Sequence, residues 1–271
     1  MTKGWNWRWP ARNGLPPLPA VAAIAGVLLM LWLTAPLVEI NLPRILGSAG
    51  KMAVFAGDLM VKPDWKYLPQ LFWKMVETME MSFLATSIAL AVSLPLGLLA
   101  ARNATPHVLV YRVVRDLLGL LRAMPELVWA LVFVSAVGLG PLAGVMALAI
   151  VTVGFMSKFF AEAIEVVDAK QVEGIAAHGA GWIQVRLFGM LPQVMPDFVG
   201  TVMYVLDHNL RAATILGFVG AGGIGFDLIM SVRLFQYDRL LLIAGSIYVV
   251  VTALDHLSNR WRSRIIHGAS A

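Results

Sequence analysis

Asp207, His208, Asn209 and Arg211 stand inside an otherwise apolar stretch that runs from about 193 to 216. Ionisable groups are expensive within a bilayer and mark functional positions by default. Two chemistries are open. Arg211 could lend positive potential to an anion crossing the membrane, or it could pair with Asp207 one helical turn away and satisfy itself. We expect the pairing for Asp207, and for Arg211, with Asn209 and Thr214, a place facing a translocation path or its gate. Glu126, after Pro125, has Arg122 at i, i−4 as its nearest partner. Glu77 and Glu80 suit solvated or capping roles at a helix mouth.

Catalysis finds little support. His107, His178, His208, His256 and His267 are scattered rather than set at metal-ligand spacing, and no serine–histidine pair suggests an intramembrane enzyme. The chain has no cysteine, which removes thiolate nucleophiles and thiolate metal sites. It also lacks a GxxxxGK[ST] phosphate loop, so it is not itself an ATPase. We expect no metal and no cofactor on this chain. A secondary transporter or channel using the Asp207–Arg211 cluster as an ion relay is the alternative from another class.

The elements that must position these residues are membrane helices. Only 14% of residues are charged and 59% are hydrophobic, against about 25% charged in soluble domains. The basic residues flank apolar runs instead of forming a stripe, so no nucleic-acid partner is expected. With about 20 apolar residues needed per crossing, we place six spans in an all-α, polytopic fold. The first covers 18–39, behind a tail (1–17) whose Trp5, Trp7 and Trp9 suit an interface. An outer segment, 40–75, reads as an interfacial helix. The core covers 76–265, with residues 266–271 as a tail.

Within that core the second span is Met81–Ala101. The uncharged run Leu127–Ser157 is too long for one span and too short for two, and VGLGPLAG (Val137–Gly144) divides it. The third span therefore starts near Asp116 and takes in Arg122, Pro125 and Glu126. The fourth covers about 142–165, the fifth 193–216, the sixth 238–257. Most of the 21 lysines and arginines then fall on one side, which puts both termini in the cytoplasm.

Between the fourth and fifth spans lies EGIAAHGAGWIQVRLFGMLPQV, half polar and rich in glycine. It reads as two short helices, Glu173–His178 and Trp182–Met190, about a Gly179-Ala180-Gly181 hinge, with Leu191-Pro192 redirecting the chain into span five. Either it docks in a groove on a cytosolic partner, or it rests on the inner leaflet. The run GFVGAGGIG (Gly217–Gly225) has two readings as well. It is a re-entrant gate, with Gly220, Gly222, Gly223 and Gly225 freeing backbone N–H groups for an oxyanion, or it is a glycine-packed helix seam.

The segment resembles the cytoplasmic loop of ABC importer permeases: Glu-Ala-Ala, three residues, Gly, nine residues, Ile, one residue, Leu-Pro. Glu173, Gly179 and Leu191-Pro192 stand in register, while Gly174 and Ile175 replace the alanines and Gly189 replaces the isoleucine. RAATILGFVGAGGIG, VGLGPLAGV and GMLPQVMPD, with Glu77-Thr78 and Thr86, resemble the phosphonate and phosphite importer permeases. The likeness runs from about 40 to 265.

It implies a type I importer permease fold with coupling helices at about 168–190, in the bacterial inner membrane. It implies a homodimer completed by two cytosolic ATPase subunits, which bind ATP and Mg, and a periplasmic phosphonate- or phosphite-binding protein. Glu173, Ala177, Gly179, Ala180, Gly181, Trp182, Leu191 and Pro192 would then be the ATPase-coupling residues. Methionine and other amino-acid importers share the coupling loop and are the alternative within the class.

Overall fold

A computed structural model describes residues 18–36, 42–59 and 62–268. The tail at 1–17 with its tryptophans, and the end of the expected first span, lie outside the described residues. The chain forms two units, 1–58 and 59–271. The first holds two helices, α1 (Leu18–Thr34) and α2 (Leu42–Leu59). α1 is uniformly apolar and shorter than the other candidate spans.

All other described elements are helical too: α3 (Leu68–Ala100), α4 (Val108–Ala123), α5 (Glu126–Val137), α6 (Pro141–Glu165), α7 (Ala169–Ala177), α8 (Trp182–Gln184), α9 (Leu191–Leu216), α10 (Gly223–Arg233) and α11 (Tyr237–Gly268). Three helical stretches, Trp65–Ala100, Pro141–Glu165 and Tyr237–His256, are long and apolar enough to cross a membrane alone. Two bent pairs, if each is one span, bring the second unit to as many as five: α4 with α5, at 85°, and the helical run Trp182–Val219 with α10, at 43°.

The pair α3 and α6 forms the centre. Ala85, Ala89, Ser93 and Gly97 repeat every fourth residue on α3 and are all buried. Small side chains on one stripe let two helices approach closely where lipid offers no hydrophobic drive. Gly97 takes that approach to its limit, since a Cβ there would stand 2.7 Å from the Cβ of Phe160. Polar residues on the same helix are satisfied locally. The hydroxyls of Thr78, Ser82 and Thr86 donate to the carbonyls of Lys74, Thr78 and Ser82 at 2.8, 2.8 and 2.7 Å. From the same contact, the Phe160 ring reaches α9 and stacks on Phe198 with centroids 3.9 Å apart.

The charged end of α3 is a correction to the expected second span. Lys74, Glu77 and Glu80 lie inside the helix, which begins at Leu68, so residues 68–75 belong to α3 and not to an interfacial helix. The expected third span, from near Asp116 through Pro125, is two helices, α4 and α5. Pro125 cannot continue α4 and serves as the N-cap of α5. No ion pair joins Arg122 to Glu126 among the described residues: Arg122 Nε donates to the Leu118 carbonyl at 3.1 Å on its own helix.

At the opposite end of the bundle a polar junction ties α3, α4 and α6. Glu165 accepts from the Arg102 backbone N–H at 2.8 Å and from the Arg115 guanidinium at 2.9 Å. Asn103 Nδ2 donates to the Ile164 carbonyl at 2.7 Å. These bonds satisfy carbonyls and N–H groups that helix ends otherwise leave unpaired.

Candidate functional site

The segment Glu173–Pro192 leaves the bundle beside that junction. Asp168 caps α7 by accepting from Lys170 N at 2.9 Å. None of the nine residues of α7, Glu173 and Ala177 among them, is buried. Gly179 turns the chain at φ +81°, a conformation that costs a side-chain-bearing residue roughly 1–2 kcal/mol. Ala180 is half-buried and Gly181 opens the next helix, with its N–H held by Gln184 Oε1 at 2.8 Å. Trp182, Ile183, Leu187 and Phe188 are left exposed. Arg186 lies 4.4 Å over the Trp182 ring and donates through Nε to the Ala104 carbonyl at 3.2 Å, which fastens the elbow to the α3–α4 turn.

Leu191-Pro192 does not redirect the chain as expected. Helix continues from Trp182 through a wide π turn at Val185–Met190 directly into α9. Pro192 has no N–H to donate, and the widened turn absorbs the mismatch, with the Leu191 N–H reaching back five residues to the Arg186 carbonyl. Gln193 closes the joint from its side chain, donating to the Gly189 carbonyl at 2.6 Å and accepting from the Asp168 N–H at 3.0 Å.

The two departures from the permease loop pattern face one another. Gly189 is buried, and a Cβ built on it would meet Ile175 Cδ1 and Val172 Cα, each at 3.5 Å. Ile175 thus fills the room that a large residue at 189 would need: large and small have exchanged places across the contact. We expect Gly189→Ile alone to overpack the joint by about 1–3 kcal/mol and Ile175→Ala to relieve it. In a thermal-unfolding double-mutant cycle the pair should be far less destabilised than the sum of its members. Additive effects would show that the two positions do not compensate.

Higher in α9, the polar cluster divides. Asn209 is buried, donating through Nδ2 to Thr86 Oγ1 and accepting from Thr152 Oγ1, both at 2.9 Å. It ties α9 to α3 and α6, so in this protomer its amide is committed to the fold. Arg211 bonds Asp207, as expected, and also Asp255 of α11 at 3.2 Å. Its guanidinium is therefore shared by two carboxylates on two helices. Asp255 falls inside the expected sixth span, where the rule that flagged Asp207 applied equally. Thr214 Oγ1 donates back to the Arg211 carbonyl at 2.7 Å.

The glycine run forms a packed corner between α9 and α10. Gly220, Gly222 and Gly223 have φ of +88°, +80° and +71°, and residues 220–225 are buried. Gly140 N–H donates to the Gly220 carbonyl at 2.9 Å. The first N–H groups of α10 are capped from α3, Gly223 N by Glu77 Oε1 and Ile224 N by Thr78 Oγ1, each at 2.9 Å. Those groups are thus occupied, contrary to the expectation that they stand open to an oxyanion. Glu77 takes the capping role, with Lys74 on its second oxygen at 2.7 Å. Beyond the corner, Tyr67 donates to Asp227, and Arg239 lies over the Tyr67 ring and bonds Asp64 at 3.3 Å.

Residues 93–265 match the family described as binding-protein-dependent transport system inner membrane component. The phosphite transport system permease protein PtxC of Stutzerimonas stutzeri is 41% identical over 255 residues, covering 94% of this chain and 88% of that protein. The phosphate-import permease protein PhnE of Mycolicibacterium smegmatis is 43% identical over 208 residues, 76% of this chain but 39% of the relative's length. Among solved structures, a chain of the MetNI methionine ABC transporter in an inward-facing form superposes with a TM-score of 0.65. It covers 74% of this chain and 99% of that one at 20% identity, a likeness of fold. The chain therefore belongs to the binding-protein-dependent transport system inner membrane components, as a multi-pass transport permease of the ABC importer class.

Proposed function

We propose that this permease carries a phosphorus oxyanion, phosphite or phosphonate, across the bacterial inner membrane. The observation that carries this reading is the 41% identity, over nearly the full length of both chains, to a phosphite transport permease. Phosphate is the second reading, favoured by the mycolicibacterial relative. Two copies of the chain enclose the path. Two cytosolic subunits hydrolyse ATP with Mg, and a periplasmic protein delivers the substrate. Both termini and the Glu173–Pro192 elbow face the cytoplasm, and the tip between α10 and α11 faces the periplasm.

In this assembly the elbow is the coupling element. Its exposed α7 and its apolar group Trp182, Ile183, Leu187 and Phe188 suit a groove on an ATPase, and α9 carries the motion onward without a break. Closure of the ATPases drives the elbow and switches the path from inward- to outward-facing. The test is ATP hydrolysis by the reconstituted complex with its binding protein loaded with phosphite, methylphosphonate or phosphate in turn. Stimulation by phosphite or methylphosphonate is expected. Stimulation by phosphate alone would favour the second reading, and none by any of them would sink the substrate class.

Gly179→Arg tests the docking role. A side chain at 179 meets nothing within 4 Å, so the only cost within the protomer is the backbone strain of φ +81°, about 1–2 kcal/mol. We expect normal membrane insertion, loss of the co-purifying ATPase and loss of uptake. Unchanged uptake would contradict the assignment.

A further inference from the structure

A cavity of about 170 Å³ between α5, α6 and α9 gathers Glu126, Thr152, Tyr204, His208 and Asn209. Thr152 and Asn209 are committed to each other and to Thr86. Glu126, Tyr204 and His208 have no hydrogen bond or ion pair among the described residues; the His208 ring stacks on Tyr204 with centroids 6.4 Å apart. Thr152 stands halfway along α6, and its partner network reaches Thr86 within the uncharged part of α3, so the cavity lies at membrane depth. Tyr204 is 52% exposed and Phe155 40%, so the cavity opens on the protomer surface. A carboxylate and an imidazole without partners at that depth are too costly against lipid and call for a water-filled path.

We infer that this cavity is a substrate subsite that takes a phosphorus oxyanion in its singly protonated form, an inference that rests on the import function proposed above. Such an anion carries both a P–OH donor and charged oxygens. Glu126 accepts from the P–OH, while His208 and the Tyr204 hydroxyl donate to the charged oxygens. An ion with no proton to give, sulfate for example, meets the Glu126 carboxylate as a bare repulsion. Glu126 is therefore the specificity-determining residue, and His208 with Tyr204 the anion-binding pair.

Because the chain has no cysteine, Phe155→Cys, at a cavity-lining position that takes no part in the proposed binding, gives a reporter unique within the permease of the reconstituted permease–ATPase complex. A charged methanethiosulfonate should label it from water. Phosphite should slow that labelling by at least about tenfold, equivalent to about 1.4 kcal/mol, and sulfate should not. With Glu126→Gln added, sulfate should begin to protect. His208→Gln, in a complex that still co-purifies with its ATPase, should lose about tenfold in phosphite uptake, again about 1.4 kcal/mol. Absence of labelling, absence of phosphite protection, or equal protection by sulfate in the parent overturns the subsite. Failure of sulfate to protect after Glu126→Gln overturns the role of that carboxylate, and undiminished uptake after His208→Gln overturns that of the imidazole. Phosphite uptake by the unmodified complex is measured beside these: its absence would fail the import reading, whereas uptake with unprotected labelling fails only the subsite.

Discussion

Adding one methyl group at Gly225 is expected to abolish uptake. A Cβ there would lie 1.8 Å from the Thr214 carbonyl oxygen and 2.8 Å from its carbon, with Gly217 Cα at 3.1 Å. All three atoms are backbone, so no side chain can swing aside and the α9–α10 corner must open. Overpacking a core costs about 1–3 kcal/mol when side chains can adjust, so this site belongs at or above the top of that range. Opening the corner would also pull Gly223 and Ile224 away from the oxygens of Glu77 and Thr78. The measurement is the thermal-unfolding midpoint in detergent together with uptake. Gly119→Ala is the matched control, since nothing lies within 4 Å of a Cβ at that position. A Gly225→Ala protein that melts and transports like the parent would show that the corner is looser than described.

The second large effect is expected at Arg211. Arg211→Leu leaves Asp207 and Asp255 facing each other without a cation, and one oxygen of Asp207 is buried and unpartnered already. Removing one member of a buried ion pair typically costs about 3–5 kcal/mol, chiefly because the remaining charge is stranded. Arg211 is 45% exposed and Asp255 39% in the protomer, and only Asp207, at 15%, is well covered, so the effect falls below that range, at about 1–3 kcal/mol. Combining Arg211→Leu with Asp207→Asn and Asp255→Asn should restore most of the stability, because no charge is then left behind. Thermal midpoints of the single and triple variants decide it. If the triple variant is no better than Arg211→Leu, the loss comes from packing and not from stranded charge.

How legible the fold was in the sequence depended on whether the signal was local. The expected fourth span, about 142–165, lies within a residue of α6 at each end, because a Gly-Pro break and a charged terminus mark it directly. The start of α3 was hidden for the opposite reason. Lys74, Glu77 and Glu80 read as the limit of an apolar run, yet Lys74 neutralises Glu77, and Glu77 is spent capping a helix 146 residues further on. Hydropathy counts charges without knowing where they are consumed.

The site shows the same division. The hinge at Gly179 and the in-register Glu173 and Leu191-Pro192 are contiguous and could be read. That Ile175 and Gly189 trade volumes could not, since the exchange exists only where α7 folds back on the π turn. Asn209 was visible as a polar residue in an apolar stretch, but its partners are 123 and 57 residues away. A pore residue and an interhelical tether look identical in one dimension. Proline offered a further trap: Pro192 signals a stop to any local rule, and only the widened turn before it explains why helix runs through.

That unbroken helix has a mechanical meaning. From Trp182 to Asn209 is 27 residues and from Asn209 to Leu216 is 7, lengths of roughly 40 and 10 Å at 1.5 Å per residue. In the coupling role proposed above, Asn209, bonded on two sides, would be the fulcrum of the helical run from Trp182 to Leu216, with arms in a ratio of roughly four to one. A tilt that sweeps the elbow through several ångströms would shift the capped corner by little more than one, with the force multiplied in proportion. Small strokes delivered with high force suit a corner whose backbone atoms are already in contact, where there is almost no slack to take up.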